Sequence, residues 1–300
     1  MRRKTILSAC LTLAVGLAVL VPAPAFAGLL APESGGSPNA DRISSLYWII
    51  FGIALVVFVI VEGALLYSLL KFKARRGAVA AQIHGNTQLE IGWTLGAAVI
   101  LVALAVVTFV KLDGIRTPEN SGPGGLALSA DSVPVSSGSG ADMRRSPNGR
   151  SLHICVTGQQ YVWRYTYAQK DCSRNDFKGV FSYEEMVVPV NTTVTLDIQA
   201  TDVAHSWWIP KLGGKFDAVP GYVNHTWFKV PGDLAGTVFT GNCAELCGRG
   251  HANMTARVRA LTPRAYEAWI KGQEAAIKGA DQAAERQRKE FEPDPERETP

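Results

Sequence analysis

Three long apolar runs dominate the first 110 residues of the chain. They cover residues 6–21, 46–70 and 91–110, and the only charge inside the last two is Glu62. A helix rising about 1.5 Å per residue needs about 20 apolar residues to cross a ~30 Å hydrocarbon core, and both later runs reach that length. The pattern therefore predicts a two-helix transmembrane anchor over residues 46–112, preceded by a short outer segment, residues 28–45.

The first run has the features of an export signal. A basic start at residues 2–4 precedes it, and the small-residue site Ala-Phe-Ala follows at residues 25–27. This order predicts a secretory signal peptide over residues 1–27, which implies a mature chain beginning at Gly28. Two alternatives remain open, a lipoprotein signal around Cys10 and an uncleaved first span.

Charge on either side of the two spans predicts the topology. The connecting loop, residues 71–90, carries four basic residues against the single acid Glu90. Since basic loops stay in the cytoplasm, this loop is predicted to be cytoplasmic and both termini to lie on the outer face. Glu62 is costly inside a bilayer and is expected to face protein or water.

After the two spans the residue composition of the chain changes twice. Residues 113–150 are rich in Gly, Ser and Pro and predict a linker or long loop. Residues 151–262 consist of short runs rich in Val, Thr, Tyr and Trp, broken by turn residues, which predicts one β-sandwich or Greek-key barrel. Residues 263–300 predict a helical, charged tail. The chain is thus predicted to be a membrane-anchored all-β protein.

Composition excludes two further classes of protein. Lys plus Arg is 30 against 26 for Asp plus Glu, and charged residues are only 19% of the chain. The charge density is too low for a nucleic-acid-binding protein, so no nucleic acid partner is expected, whereas the lipid bilayer is. Five cysteines are too few for a disulfide scaffold.

One short segment carries the metal chemistry. Cys243, Cys247, His251 and Met254 fall on the pattern C-x-E-x-C-x-x-x-H-x-x-M, and His205 precedes them on a predicted strand end. Soft sulfur with imidazole favours copper, and two thiolates are able to bridge two ions. A Cys243–Cys247 disulfide, a structural zinc site and a copper chaperone are alternatives, but the first two leave Met254 unused and the third lacks a βαβ pattern.

These residues, the upstream His-Ser-Trp-Trp and the paired spans resemble subunit II of the haem-copper cytochrome c oxidases of bacteria. The resemblance implies a cupredoxin-like domain with a dinuclear copper (CuA) centre. Its copper ligands would be the side chains of His205, Cys243, Cys247, His251 and Met254 and the backbone carbonyl of Glu245. It also implies a magnesium ion at the subunit I interface, held in part by the Glu245 side chain.

Three further roles follow from the same resemblance. Glu90 matches a carboxylate at the mouth of a proton pathway, and Asp202 matches an acidic position on the cytochrome c docking face. Tyr161 stands where the family usually has the electron-entry tryptophan, and Trp163 matches its second tryptophan. Cys155 and Cys172 match no family role, and both a disulfide and two buried thiols remain open for them.

The implied function is electron entry into a respiratory oxidase. The copper centre would accept electrons from cytochrome c and pass them to haem in subunit I. Subunit I would reduce oxygen to water and pump protons. Subunit III would be a further partner. The implied location is the bacterial inner membrane, with both termini in the periplasm. A copper-free subunit II of a quinol oxidase and a membrane-anchored copper-delivery protein are the alternative functions.

Overall fold

The computed structural model describes most of the chain in two compact units. The described residues are 31–73, 77, 79, 82–128, 150–167, 172 and 179–291. The predicted signal peptide, residues 1–27, lies outside them, as do residues 129–149 and 292–300. One unit contains the described residues up to 33 together with residues 42–115, and the other contains residues 34–41 and those from 116 onward.

Two long helices, α1 (Pro38–Lys71) and α2 (Thr87–Arg116), form the first unit apart from the first turn of α1. Both are long and apolar enough to cross a membrane, and their apolar side chains are exposed in the single chain. Both helices extend beyond the apolar runs into polar residues. At the start of α2, the Leu89 amide donates to Asn86 Oδ1 over 3.1 Å.

The two helices run antiparallel to each other. Lys111 Nζ in α2 donates to Ser45 Oγ in α1 over 3.1 Å, and the Arg42 guanidinium donates to the Gly114 carbonyl. These bonds bring the beginning of α1 beside the end of α2. The helical hairpin expected from the two apolar runs is therefore formed, with α2 reaching into the segment that composition assigned to the linker.

The second unit is a sandwich of two five-stranded sheets, as predicted. The first sheet has the order β3-β2-β1-β5-β8 and the second the order β4-β10-β9-β6-β7. The strands are β1 (Leu152–Gln159), β2 (Val162–Tyr167), β3 (Phe181–Tyr183), β4 (Glu185–Pro189), β5 (Thr193–Ala200), β6 (His205–Trp208), β7 (Phe216–Ala218), β8 (Asn224–Lys229), β9 (Val238–Cys243) and β10 (Thr255–Leu261). Two apolar helices followed by a β-sandwich is the fold class that the sequence predicts.

Alternate side chains of the strands fill the space between the sheets. From the first sheet come Ile154, Val156, Leu196 and Ile198, all essentially inaccessible to solvent. Strand residues that alternate in this way point to the same face, so the intervening positions of β1 and β5 lie on the outer face of that sheet. Several of these outer-face residues are also buried, and Cys155 is joined to Cys172 by a disulfide bond.

The glycine-rich segment after α2 is packed against the β-sandwich over its first part. The Gly122 amide donates to the Asn191 carbonyl over 2.7 Å, and the Leu126 amide donates to Thr192 Oγ1 over 2.8 Å. Leu126 and Leu128 pack on the core. Residues 117–128 are therefore part of the domain surface, because their backbone groups are bonded to the turn before β5.

The first turn of α1 belongs to the sandwich too. Asn39 Nδ2 donates to the Trp227 carbonyl over 2.7 Å, and Ser37 Oγ accepts from the Lys229 amide over 3.1 Å. At the other end of the unit, helix α3 (Pro263–Phe291) packs through Tyr266, which is buried. The polar remainder of α3 is exposed, as expected for a charged helical tail.

Candidate metal centre

Two neighbouring strands and the loop after them assemble the predicted ligands. Strand β6 begins at His205 and pairs with β9, which ends at Cys243, with Trp207 opposite Cys243. The loop that follows returns to β10, and it is closed by a 2.9 Å hydrogen bond from the Cys243 amide to the Met254 carbonyl. Because β6 and β9 are antiparallel, the upstream imidazole and the loop ligands meet at the same end of these two strands.

The four nitrogen and sulfur side chains of the site form a chain of close contacts. Cys243 Sγ and Cys247 Sγ lie 3.9 Å apart. His205 Nδ1 lies 3.8 Å from Cys243 Sγ, and His251 Nδ1 lies 3.7 Å from Cys247 Sγ. Each thiol therefore faces the other thiol and one imidazole, which is the arrangement that two bridged metal ions require.

Two weaker donors complete the cluster. Met254 Sδ lies 3.9 Å from Cys247 Sγ, and the Glu245 carbonyl oxygen lies 3.2 Å from Cys243 Sγ. The Glu245 side chain itself is exposed. Met254 thus lies beside Cys247, and the Glu245 carbonyl lies beside Cys243. Each thiol therefore has a weak donor beside it in addition to its imidazole.

The site is largely buried and favours a cation. His205, Cys243, Cys247 and Met254 are buried, and His251 is half-buried. Burial, together with the neighbouring Cys243, raises the pKa of the Cys247 thiol to about 11. Two adjacent thiolates in such a place need positive charge to be stable, and bound metal ions supply it.

Asp202 orients the upstream imidazole. Its Oδ1 lies 2.9 Å from His205 Nε2, so Nε2 carries the proton and Nδ1 is left as the ligand atom. Burial opposes ionisation of Asp202, but hydrogen bonds from His205 and from the amides of Gln160 and Val203 outweigh it and hold its pKa below the ordinary value. The structure thus gives Asp202 a contact with the site that the sequence did not predict.

Trp163 packs directly on the same imidazole. It is fully buried, and its ring centroid lies 5.8 Å from that of His205 in an edge-to-face arrangement. Gly158 leaves the room for both rings, because a Cβ there would lie 2.9 Å from Trp163 Cζ3 and 3.1 Å from His205 Cδ2. Trp163 therefore fixes the position of a ligand from the interior of the domain.

Tyr161 covers the other side of the site. Its side chain is 39% exposed, and its ring lies against Gly250 so closely that a Cβ on that glycine would collide with it. A Cβ on Gly248 would lie 2.7 Å from the Tyr161 hydroxyl oxygen. The neighbouring Gln160 Nε2 donates to the Cys247 carbonyl over 2.6 Å. Sequence analysis missed Gln160 and both glycines, although a glycine on each side of Arg249 indicates a close approach to this loop.

Glu90 lies in the membrane unit, in the first turn of α2. Its Oε1 lies 3.4 Å from the Asn86 amide nitrogen, at the beginning of the helix. An acidic side chain at this position also interacts favourably with the positive end of the helix dipole. The structure therefore places Glu90 at a helix terminus and shows a local role for it.

The donor set fits copper better than zinc. Two thiols, two imidazoles and a thioether converge, and the thioether is not a zinc ligand in structural sites. A four-ligand zinc site would also leave one of these buried donors without a function. The described residues bring together every side chain that the spacing of the motif predicted as a copper ligand.

Comparison with known proteins shows which family the chain resembles. The family model described as cytochrome c oxidase subunit II, periplasmic domain, matches residues 152–261, and that described as its transmembrane domain matches residues 26–110. A solved structure of the periplasmic domain of subunit II of cytochrome oxidase from Bradyrhizobium japonicum is 30% identical, covers 42% of this chain and 96% of that one, and has a TM-score of 0.37.

Two curated relatives are similar over most of the chain. Cytochrome c oxidase subunit 2 of Alkalihalophilus pseudofirmus is 34% identical over 74% of this chain, which spans about half (56%) of that relative. Cytochrome c oxidase subunit 2 of Cereibacter sphaeroides is 31% identical over 90% of this chain and 92% of its own length. The chain therefore belongs to the cytochrome c oxidase subunit II family, as a membrane-anchored component of an oxidoreductase complex.

Proposed function

We propose that this chain is the electron-entry subunit of a respiratory haem-copper oxidase. Its CuA centre would accept electrons from cytochrome c and pass them to haem in subunit I. The observation that carries the proposal is the arrangement of the two thiols, 3.9 Å apart, each facing the other and one imidazole. Oxygen reduction and proton pumping would belong to subunit I, with subunit III as a further partner.

Each residue of the site would have its own role in binding copper. Cys243 and Cys247, together with His205 and His251, would hold the two copper ions. Met254 and the Glu245 carbonyl would be the weak ligands. Copper bound in this way supplies reversible one-electron chemistry. His205, Cys243, Cys247 and Met254 are buried, so the proposed ligand set would limit access of water and leave no open position for a substrate.

Other groups would connect the site to its surroundings. The exposed Glu245 side chain is proposed to help bind magnesium at the subunit I interface, and Asp202 to contribute to the cytochrome c docking face as well as to hold His205. Glu90 is proposed to lie at the mouth of a proton pathway. The chain would cross the bacterial inner membrane twice after loss of its signal peptide, with both termini in the periplasm.

Copper analysis of the purified oxidase tests this function. We expect two copper ions per chain in this subunit and an electron paramagnetic resonance signal in which the unpaired electron couples equally to two copper nuclei. A complex that assembles with its haem but has no copper in this subunit would instead support a structural subunit II of a quinol oxidase. Copper in a chain that purifies without haem would support a copper-delivery protein.

Replacing Tyr161 tests the route of electron entry. We expect Tyr161→Leu to slow electron transfer from reduced cytochrome c to copper by roughly tenfold or more, equivalent to about 1.4 kcal/mol of activation free energy, because the aromatic ring between solvent and the copper loop is lost. Stopped-flow absorbance measures this rate. Leucine keeps apolar bulk over Gly250, so the copper content should not change.

Tyr183→Leu is the matched control for this experiment. Tyr183 is 41% exposed, almost the same as Tyr161, but it lies on β3 at the edge of the first sheet. Its replacement should leave the rate of copper reduction unchanged. An unchanged rate in Tyr161→Leu would remove the proposed role of Tyr161, and a fall of the same size in both variants would do so as well.

A further inference from the structure

A second cluster of metal-binding side chains lies on the outer face of the first sheet. His153 and Cys155 belong to β1, and the register places Cys155 beside Asp197 of β5, which in turn pairs with His225 of β8. Cys172 approaches from outside the strands, joined to Cys155 by the disulfide bond. None of these residues takes part in the copper site described above.

Distances within the cluster already suit one small cation. His153 Nε2 lies 3.4 Å from Cys172 Sγ and 3.7 Å from Asp197 Oδ2. The ligand atoms of His153, Cys155 and Cys172 all lie within 4.8 Å of one another. In a tetrahedral zinc site with ordinary bond lengths, a sulfur and a nitrogen ligand are about 3.5 Å apart and two sulfurs about 3.8 Å. The distance from His153 to Cys172 already has this value, whereas the two sulfurs, which are bonded to each other, have to separate after reduction.

We infer that reduction of the Cys155–Cys172 disulfide converts this cluster into a binding site for a single Zn²⁺ ion. The ligands are the two cysteine thiolates and His153 Nε2, with the Asp197 carboxylate as the fourth donor. Two thiolates, an imidazole and a carboxylate are the donor types that zinc takes, and the carboxylate makes the set harder than that of the copper site.

Neighbouring side chains hold these ligands in the orientation that binding needs. His153 Nδ1 lies 3.3 Å from Thr195 Oγ1, and in the tautomer that binds zinc through Nε2 it would donate to that hydroxyl while Nε2 faces Cys172. His225 Nδ1 lies 2.5 Å from Asp197 Oδ1, which fixes the carboxylate and leaves Oδ2 towards His153. The imidazole and the carboxylate that face the disulfide are therefore each held by a further partner.

Burial makes the site selective for the reduced state. His153, Cys155 and Cys172 are buried, and Asp197 is largely so. While the sulfurs are bonded to each other, neither is a thiolate and no charge has to be compensated. Once they are reduced, two buried thiolates require a cation, and zinc supplies charge and bonds together.

The chemical balance of the switch is simple. A dithiol reductant gives two electrons and two protons to the disulfide, which becomes two thiols while the dithiol becomes a disulfide. Binding of Zn²⁺ then releases both thiol protons. Oxidation of the two zinc-bound thiolates by a disulfide oxidant reforms the Cys155–Cys172 bond and releases the ion. Zinc is therefore bound only while the two cysteines are reduced.

Zinc binding to the full-length chain in detergent micelles tests the inference. The chain carries Cys243→Ser and Cys247→Ser so that the copper site offers no thiols, and a phosphine reductant replaces the dithiol, which itself binds zinc. Equilibrium dialysis with Zn²⁺ should show a single bound ion after reduction and at least tenfold weaker binding before it. His153→Ala should weaken binding by the reduced chain by roughly 10–100-fold.

The matched control is His84→Ala, which removes an exposed imidazole from the loop between α1 and α2 and should leave zinc binding unchanged. Cobalt replaces zinc in a second measurement, and its thiolate charge-transfer absorption should appear only after reduction. Circular dichroism follows the fold. If the reduced chain loses β-structure, added Zn²⁺ should restore it. Equal binding by the oxidised chain or by His153→Ala, or no binding and no restored fold after reduction, would overturn the inference.

Discussion

The Cys247→Ser variant is expected to lose the mixed-valence copper signal and, with it, the transfer of electrons from cytochrome c to oxygen. Cys247 Sγ is in contact with three other donors, namely Cys243 Sγ, His251 Nδ1 and Met254 Sδ, at 3.7–3.9 Å. A serine oxygen is harder, binds copper weakly and does not bridge two ions as a thiolate does. Turnover should fall by roughly a hundredfold or more, equivalent to about 2.7 kcal/mol.

Three measurements separate loss of the copper centre from loss of the complex. They are copper content, the electron paramagnetic resonance spectrum and the haem content of the purified oxidase. We expect the first two to change and the haem content to stay constant, because the substitution keeps the size of a buried side chain and leaves the strands intact.

Leu246→Ser is the matched control for copper binding. Leu246 precedes Cys247 in the same loop, but its side chain is 78% exposed and takes no part in the cluster. The same new residue one position away should leave copper content and spectrum unchanged. Normal turnover of Cys247→Ser with cytochrome c would contradict the assignment of the two thiols as bridging ligands.

The local sequence predicted the strands that are rich in β-forming residues. Runs rich in Val, Thr and aromatic residues predict strands at 153–156, 161–167, 185–189, 192–199, 225–230 and 236–240, and these correspond to β1, β2, β4, β5, β8 and β9 to within a few residues. Strands β3 and β7 have three residues each, too few to show a period, and they exist because a neighbouring strand pairs with them. In strand β10, Ala256, Val258 and Ala260 point inward, and arginines lie between them. This alternation is typical of a strand, although the composition of the segment did not predict it.

The side chains proposed as copper ligands were predictable because four of the five lie in one short loop. Their spacing is a property of the sequence, and the chemistry of sulfur with imidazole limits the metal. The contact of Asp202 with His205 Nε2 was not predictable in the same way, since it depends on the turn before β6. Likewise, nothing local indicates that Tyr161 lies on Gly250, which is distant in the chain.

Composition was least informative about the connecting segments. Gly, Ser and Pro between α2 and β1 predict a linker, yet its first part is bonded to Asn191 and Thr192 of the sandwich. Small and polar residues have few side-chain contacts of their own, so their order depends on whether a neighbouring backbone accepts their hydrogen bonds. That property belongs to the tertiary structure and not to the segment.

The Gly241→Ala variant is expected to lose both stability and copper. Gly241 lies on β9 where β6 ends, and an added Cβ would collide with the Trp208 carbonyl oxygen and lie 2.9 Å from Ile209 Cα. Backbone atoms have no rotamer to change, so β6 and β9 would have to separate, at a cost of roughly 1–3 kcal/mol. Because Cys243 ends β9 and His205 begins β6, the same movement draws two copper ligands apart.

Thermal unfolding and copper content, measured on the same preparation, check this result, and Gly272→Ala is its control. Gly272 lies on α3 with no atom within 4 Å of an added Cβ, and its replacement should leave copper unchanged and stabilise the helix by about 0.5–1 kcal/mol. We expect the unfolding temperature and copper content of Gly241→Ala to fall together. If the temperature fell while copper stayed, the ligands would be held by the loop after β9 alone, independently of the β6–β9 contact. If neither fell, the close approach of Gly241 to Trp208 would have no part in positioning the site.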